Sequence, residues 1–146
     1  MKKNVTILFL LVSASVVACS CIRSKFSKKH VDNASYIIKG EVLKVSHDKK
    51  NWQNIITFRV DDAIKGNTKK TVKIRTAQDS AACGLYVQKN DQWFLFVYEL
   101  EGQMHIGLCD KNIRYNRRPG ESRALRKKNC KIIKNYQKKI KEFRNE

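Results

Sequence analysis

Hydrophobic and polar positions alternate with a period of two along several stretches between residues 35 and 108, and the rhythm then changes. Ser35 to Val45 predicts a first strand. Tyr36, Ile38, Gly40 and Val42 fall on one face; Ile37, Lys39, Glu41, Leu43 and Val45 fall on the other. The polar run Ser46 to Asn51 predicts a turn, and Trp52 to Ile64 a second strand rich in β-formers. Lys65-Gly66-Asn67 is turn chemistry. Val72 and Ile74 alternate with Lys73 and Arg75 in a half-buried third strand, Thr71 to Thr76. Gln92 to Glu99 holds Trp93-Phe94-Leu95-Phe96-Val97-Tyr98, an unbroken apolar run that reads as a fourth strand buried on both faces. Glu101-Gly102 turns the chain, and Met104 to Leu108 predicts a short fifth strand leading into Cys109.

After Pro119-Gly120 the period becomes helical. Glu121 to Cys130 and Lys131 to Arg144 predict helix, with Leu125, Ile132, Ile133, Tyr136, Ile140 and Phe143 at apolar spacing and lysines filling most of the remainder. Ile22 to Asp32 is basic and polar and fits a short helix or a loop. Five strands followed by helix predict a mainly β fold, a closed or nearly closed barrel. A five-stranded OB-type barrel is one solution with that strand count.

The first residues change the picture. Lys2 and Lys3, the apolar run Val5 to Val12 and the small residues Ser13 to Ala18 form a secretory signal pattern over residues 1–18. The run is short of the roughly 20 apolar residues a membrane span needs. Cleavage after Ala18 leaves residues 19–146, enough for one domain and one core. All five cysteines lie in that part, at positions 19, 21, 83, 109 and 130, and an oxidising compartment predicts bridges. An odd count leaves at least one thiol over. Only Cys19 and Cys21 are close in sequence, and no His cluster accompanies them, so the usual zinc spacings are missing.

Thirty-one Lys and Arg against 13 Asp and Glu give a formal charge of +18. Such a surface favours polyanions such as heparan-type glycosaminoglycans or acidic proteins. Export and the lack of any nucleic-acid motif argue against nucleic acid. Catalytic chemistry is equally unsupported. His30, His47 and His105 are scattered, and no Ser/His/Asp set, paired acids or phosphate-cradling loop appears. Asn33-Ala34-Ser35 is a glycosylation sequon.

Cys19-Ser20-Cys21 directly after a signal resembles the start of the tissue inhibitors of metalloproteinases. Asn33-Ala34-Ser35 with Tyr36-Ile37-Ile38-Lys39-Gly40 is similar to that family's first strand; Phe58-Arg59-Val60 and Ile64-Lys65-Gly66 resemble its second strand and turn. Ser80-Ala81-Ala82-Cys83-Gly84 and Gly102 to Asp110 resemble the segments around the cysteines that pair with the first and third residues. The likeness runs from Cys19 to about Cys130.

The resemblance implies an OB-like barrel of the netrin-module type with bridges Cys19–Cys83 and Cys21–Cys109. It implies an inhibitor with no cofactor of its own, which chelates the catalytic zinc of a target metalloprotease through the amine and carbonyl of Cys19. Ser20 would enter the specificity pocket, and Cys21, Ser80, Ala81 and Ala82 would touch the protease. There are departures. Cys130 matches one end of a third bridge whose other end falls near Asp32, which leaves Cys130 unpaired within the chain, either free or bonded to a second molecule. Lys111 replaces an expected aromatic, the loop between the first two strands is short, and the second, six-cysteine domain is absent. Two other readings fit the residues. One is a non-inhibitory netrin-type module for anionic matrix or proteins. The other is a bacterial lipoprotein, since Val16-Val17-Ala18-Cys19 also fits a lipidation site that would tether Cys19 to a membrane.

Overall fold

The structure is a computed structural model that describes residue 19, residue 21 and residues 24–145. The signal pattern of residues 1–18 and Ser20 lie outside the described residues. Among the described residues six strands and two helices follow in order: α1 (Lys28–Asn33), β1 (Tyr36–Asp48), β2 (Gln53–Lys65), β3 (Thr71–Ala77), β4 (Gln92–Leu100), β5 (Gln103–His105), β6 (Ile113–Arg114) and α2 (Arg123–Arg144).

The strands close into a barrel. The hydrogen-bonded order is β1-β2-β3-β5-β4, and β4 returns to pair with β1. All of these contacts are antiparallel except β3 with β5, where Ile74 and Arg75 lie beside Met104 and His105. β1 is long enough to serve both neighbours. Residues 37–48 pair with β2, and residues 36–41 pair with β4. Closure pairs strand edges that an open sheet would have to protect, while the outer part of β1, residues 43–48, pairs with β2 alone. The mainly β, OB-type fold is therefore present, with a sixth two-residue strand, β6, clipped to Trp93 and Phe94 of β4.

β1 departs from the simple alternation. Register shifts interrupt its pairing with β2, one of them between Val42 and Lys44. Leu43 is the extra residue of that bulge, and a bulge reverses the face on which later side chains emerge. Val45, which strict alternation assigns to the opposite face from Val42, packs with Val42 against the barrel interior.

Two apolar layers result. Ile38, Val42, Ile56, Phe58, Ile74, Trp93, Leu95 and Val97 fill the barrel. Ile37, Phe94 and Phe96 face outward, where Ile133 and Ile140 of α2 and Val31 of α1 cover them. The unbroken apolar run of β4 is thus divided between two cores. α2 forms one continuous helix, capped by the Ser122 hydroxyl, which accepts from the Leu125 N–H at 3.3 Å. Its buried stripe begins at Ile133; Leu125 is 40% exposed and takes no part.

The segment before β1 is docked as well. Phe26 stacks on Tyr136 of α2 with ring centroids 4.0 Å apart. α1 is a helix, with Ser27 and His30 forming a capping box. The Lys65 ammonium donates to the carbonyls of Val31, Asp32 and Ala34, satisfying the end of the helix where backbone acceptors are otherwise unpaired.

Candidate functional site

Cys19 is bonded to Cys83 and Cys21 to Cys109, with Cα–Cα separations of 5.4 and 5.1 Å. The two bridges lie side by side, the Cys19 and Cys109 sulfurs 4.0 Å apart. The sulfurs of Cys19, Cys21 and Cys109 cluster within 4.8 Å of one another. That proximity comes from the bridges: a sulfur in a disulfide is not the thiolate that binds zinc. Cys130 is half-buried and is the free cysteine among the described residues. Asp32 is exposed and pairs with Lys28 at 2.9 Å.

The loop between β3 and β4 presents Ser80, Ala81, Ala82 and Cys83, all exposed. Its shape is set by its own hydrogen bonds. The Asp79 carboxylate accepts from the Ala82 N–H at 2.9 Å, and the Asp79 carbonyl accepts from the Gly84 N–H at 2.7 Å. Cys83 donates to the Ser80 carbonyl and has φ of 63°, in the left-handed region that costs a non-glycine residue roughly 1–2 kcal/mol. Gly84 is buried, and a Cβ there would sit 2.1 Å from the Ala77 carbonyl oxygen, so the chain passes only because the residue is glycine. Just beyond, the buried Thr76 hydroxyl accepts from the Leu85 N–H at 2.8 Å. A cavity of about 300 Å³ opens beside this ridge, lined by Gln78, Asp79, Ser80, Gly84, Leu85 and Tyr86.

The second wall is the chain from Gly107 to Cys109. The Leu108 N–H donates to the Cys83 carbonyl at 2.8 Å, so the two bridge-bearing segments are joined by backbone as well as by sulfur. The Asp110 carboxylate accepts from the Gly107 N–H at 2.5 Å, and the Asn112 amide donates to the Gly107 carbonyl at 3.0 Å. Burial raises the Asp110 carboxyl above its ordinary value, against the opposing pull of its hydrogen bonds from Gly107 and Tyr98. Burial, with the nearby Asp110 charge, pushes the Tyr98 phenol up to about 12. Lys111, where the resemblance expects an aromatic, donates to the Ser24 carbonyl at 2.6 Å and ties down the chain that leaves Cys21.

The structure therefore brings together Cys19, Cys21, Cys83 and Cys109, with Ser80, Ala81 and Ala82 on the adjoining loop. It also adds Trp52. The pattern assigned Trp52 to the second strand, but it is a turn residue with φ of 51° and is 74% exposed. The hairpin closes as Asp48 pairs with Gln53, and the Asp48 carboxylate accepts from Asn51, leaving Trp52 to make the left-handed step. Its carbonyl accepts from the Gln78 N–H at 3.1 Å, so it adjoins the ridge. Its aromatic type reads as a strand former, and only the hairpin register reveals the turn.

A closed OB-type barrel with Cys19 and Cys21 bolted to two neighbouring loops defines a small disulfide-fixed domain. A family model described as tissue inhibitor of metalloproteinase matches residues 17–131. The chain belongs to that family. A comparison with curated proteins finds no match.

Proposed function

We propose that this chain is a secreted inhibitor of zinc metalloendopeptidases and that the backbone of Cys19 is its working group. Cleavage after Ala18 frees the Cys19 α-amine. That amine and the Cys19 carbonyl oxygen form a five-membered chelate on the catalytic zinc of the protease, at the position such sites keep open for water. An α-amine has a reference pKa near 7.7–8.0, so it loses its proton readily near neutral pH when a metal takes its lone pair. The chain carries no cofactor; the zinc belongs to the target.

The observation that carries the reading is the double anchoring of Cys19 and Cys21. Two bridges, the Leu108 to Cys83 hydrogen bond and the Lys111 tether to Ser24 hold the segment before any partner arrives. Ordering is then not charged against binding. Ser20 enters the specificity pocket, where a small hydroxyl fills little space, so broad rather than sharp selectivity follows. Ser80, Ala81, Ala82 and Cys21 form the contact rim.

The Cys19–Cys83 bridge supports a free over a lipidated Cys19, since one sulfur cannot carry both a disulfide and a lipid. The positive charge supports heparan-type glycosaminoglycans as a second partner class. Inhibition assays against a panel of zinc metalloendopeptidases, using mature protein that begins at Cys19, test the proposal. Inhibition of several members is expected; inhibition of none favours a binding module. Intact mass distinguishes the lipoprotein: a lipid adduct on Cys19 overturns the chelation mechanism.

A further inference from the structure

The N-terminal end of α2 carries charge of the wrong sign. A helix N-terminus favours acidic side chains, yet the first turn of α2 contains no acid. Arg123, Arg126 and Lys127 stand there instead, at the three- and four-residue spacings that bring like charges together. With Arg117 and Cys130 they line a cavity of about 360 Å³. Two carboxylates bound to the neighbouring Arg114 and Arg118 are already engaged. Asp91 pairs with Arg118, and Glu121 pairs with Arg114 and accepts from the Arg118 N–H. Among the described residues Arg117, Arg123, Arg126 and Lys127 make no ion pair.

The charge continues along the helix. Lys127, Lys131, Lys134 and Lys138 recur at intervals of four, three and four, a single stripe of roughly 16 Å at helical rise. All four are exposed, and the stripe lies on the opposite side of the helix from buried Ile133 and Ile140. Among the described residues only Lys138 of these four has an acidic partner, Glu142 at 3.9 Å.

We propose that this cavity and stripe form a binding site for a sulfated polysaccharide, separate from the residues that meet the protease. The inference rests on the glycosaminoglycan reading above and assigns it to a place. Guanidinium groups hold tetrahedral oxyanions through paired N–H donors, which suits sulfate groups laid across the exposed Arg117, Arg123 and Arg126 beside the cavity. A stripe leading away from the cavity suits a repeating polymer rather than a single ion. No aromatic side chain lines the cavity, so it lacks the stacking platform that single-stranded nucleic acid uses. A bound chain of sulfates relieves the repulsion the free protein carries.

Heparin binding at graded salt tests the assignment. The variant R117Q/R123Q/R126Q/K127Q is compared with K49Q/K50Q/K69Q/K70Q, which removes the same charge from exposed turn residues elsewhere. The first is expected to weaken binding by about tenfold or more and to flatten the salt dependence by roughly one released ion per cation removed. The second is expected to change affinity by less than about threefold. Equal losses overturn the site and leave only diffuse attraction; failure of the wild type to bind heparin overturns the glycan reading itself. Equal or tighter binding of a thymidine oligonucleotide overturns the choice of ligand. Cys130 supplies a second readout on the unaltered protein, since heparin should slow its alkylation, and an unchanged rate contradicts the site.

Discussion

Gly84 shows how much of the candidate site depends on a single missing atom. The chain crosses the Ala77 carbonyl so closely that Gly84→Ala must displace backbone, because neither contacting group is a flexible side chain. We expect a loss of about 1–3 kcal/mol in urea unfolding, the usual cost of forced overpacking. An unchanged midpoint would show that the loop relaxes freely and does not hold Cys83. Asp110 gives a pH signature. Its folded carboxyl is raised by burial, so the folded state keeps the proton longer than the unfolded chain does. Its contribution is fully present below the ordinary carboxylate value and is lost as pH rises through the folded value. Asp110→Asn keeps an acceptor for the Gly107 N–H and removes the titration. Urea midpoints across mildly acidic pH should show the variant gaining on the wild type as pH rises; parallel curves would contradict this.

At the scale of elements, α2 separates into a half that packs and a half that does not. Ile140 is fully buried between α2 and the barrel, so Ile140→Ala should cost about 2–5 kcal/mol. Leu125→Ala, on the exposed first turns, should stay within about 0.5 kcal/mol. Similar losses for both would mean that the helix docks along its whole length. The bridge Cys21–Cys109 closes a span of 88 residues, and replacing both cysteines with serine should cost about 4.6 kcal/mol in the chain-entropy account. The strands were legible because their apolar positions follow the two-residue period that a closed barrel requires. The bulge at Leu43, the left-handed turn at Trp52 and the exposed start of α2 were not. Each depends on what lies opposite in space: a register partner, a hairpin closure, or the point where the helix first meets Phe94 and Phe96. The site was legible chiefly through the resemblance. Spacing alone named five cysteines, whereas the hydrogen bonds of Asp79, Leu108 and Lys111 that rigidify the site have no local sequence signal.

For the whole molecule, the barrel, the docked N-terminal segment and the two bridges act as one frame that fixes a single backbone position. The sulfurs of Cys19 and Cys21 serve that frame, and in the proposed mechanism the amine and carbonyl of Cys19 serve the protease. This division of labour makes the account sensitive to one added residue. An alanine placed before Cys19 leaves both bridges and the barrel intact but moves the α-amine one residue away from the chelating carbonyl. Inhibition constants for mature protein beginning at Cys19 and for the same protein with that extra alanine, measured on one zinc metalloendopeptidase, test the claim most directly. The account predicts that the extended form loses inhibition by at least about a hundredfold, equivalent to roughly 2.7 kcal/mol, while its unfolding is unchanged; equal inhibition by the two forms would contradict it.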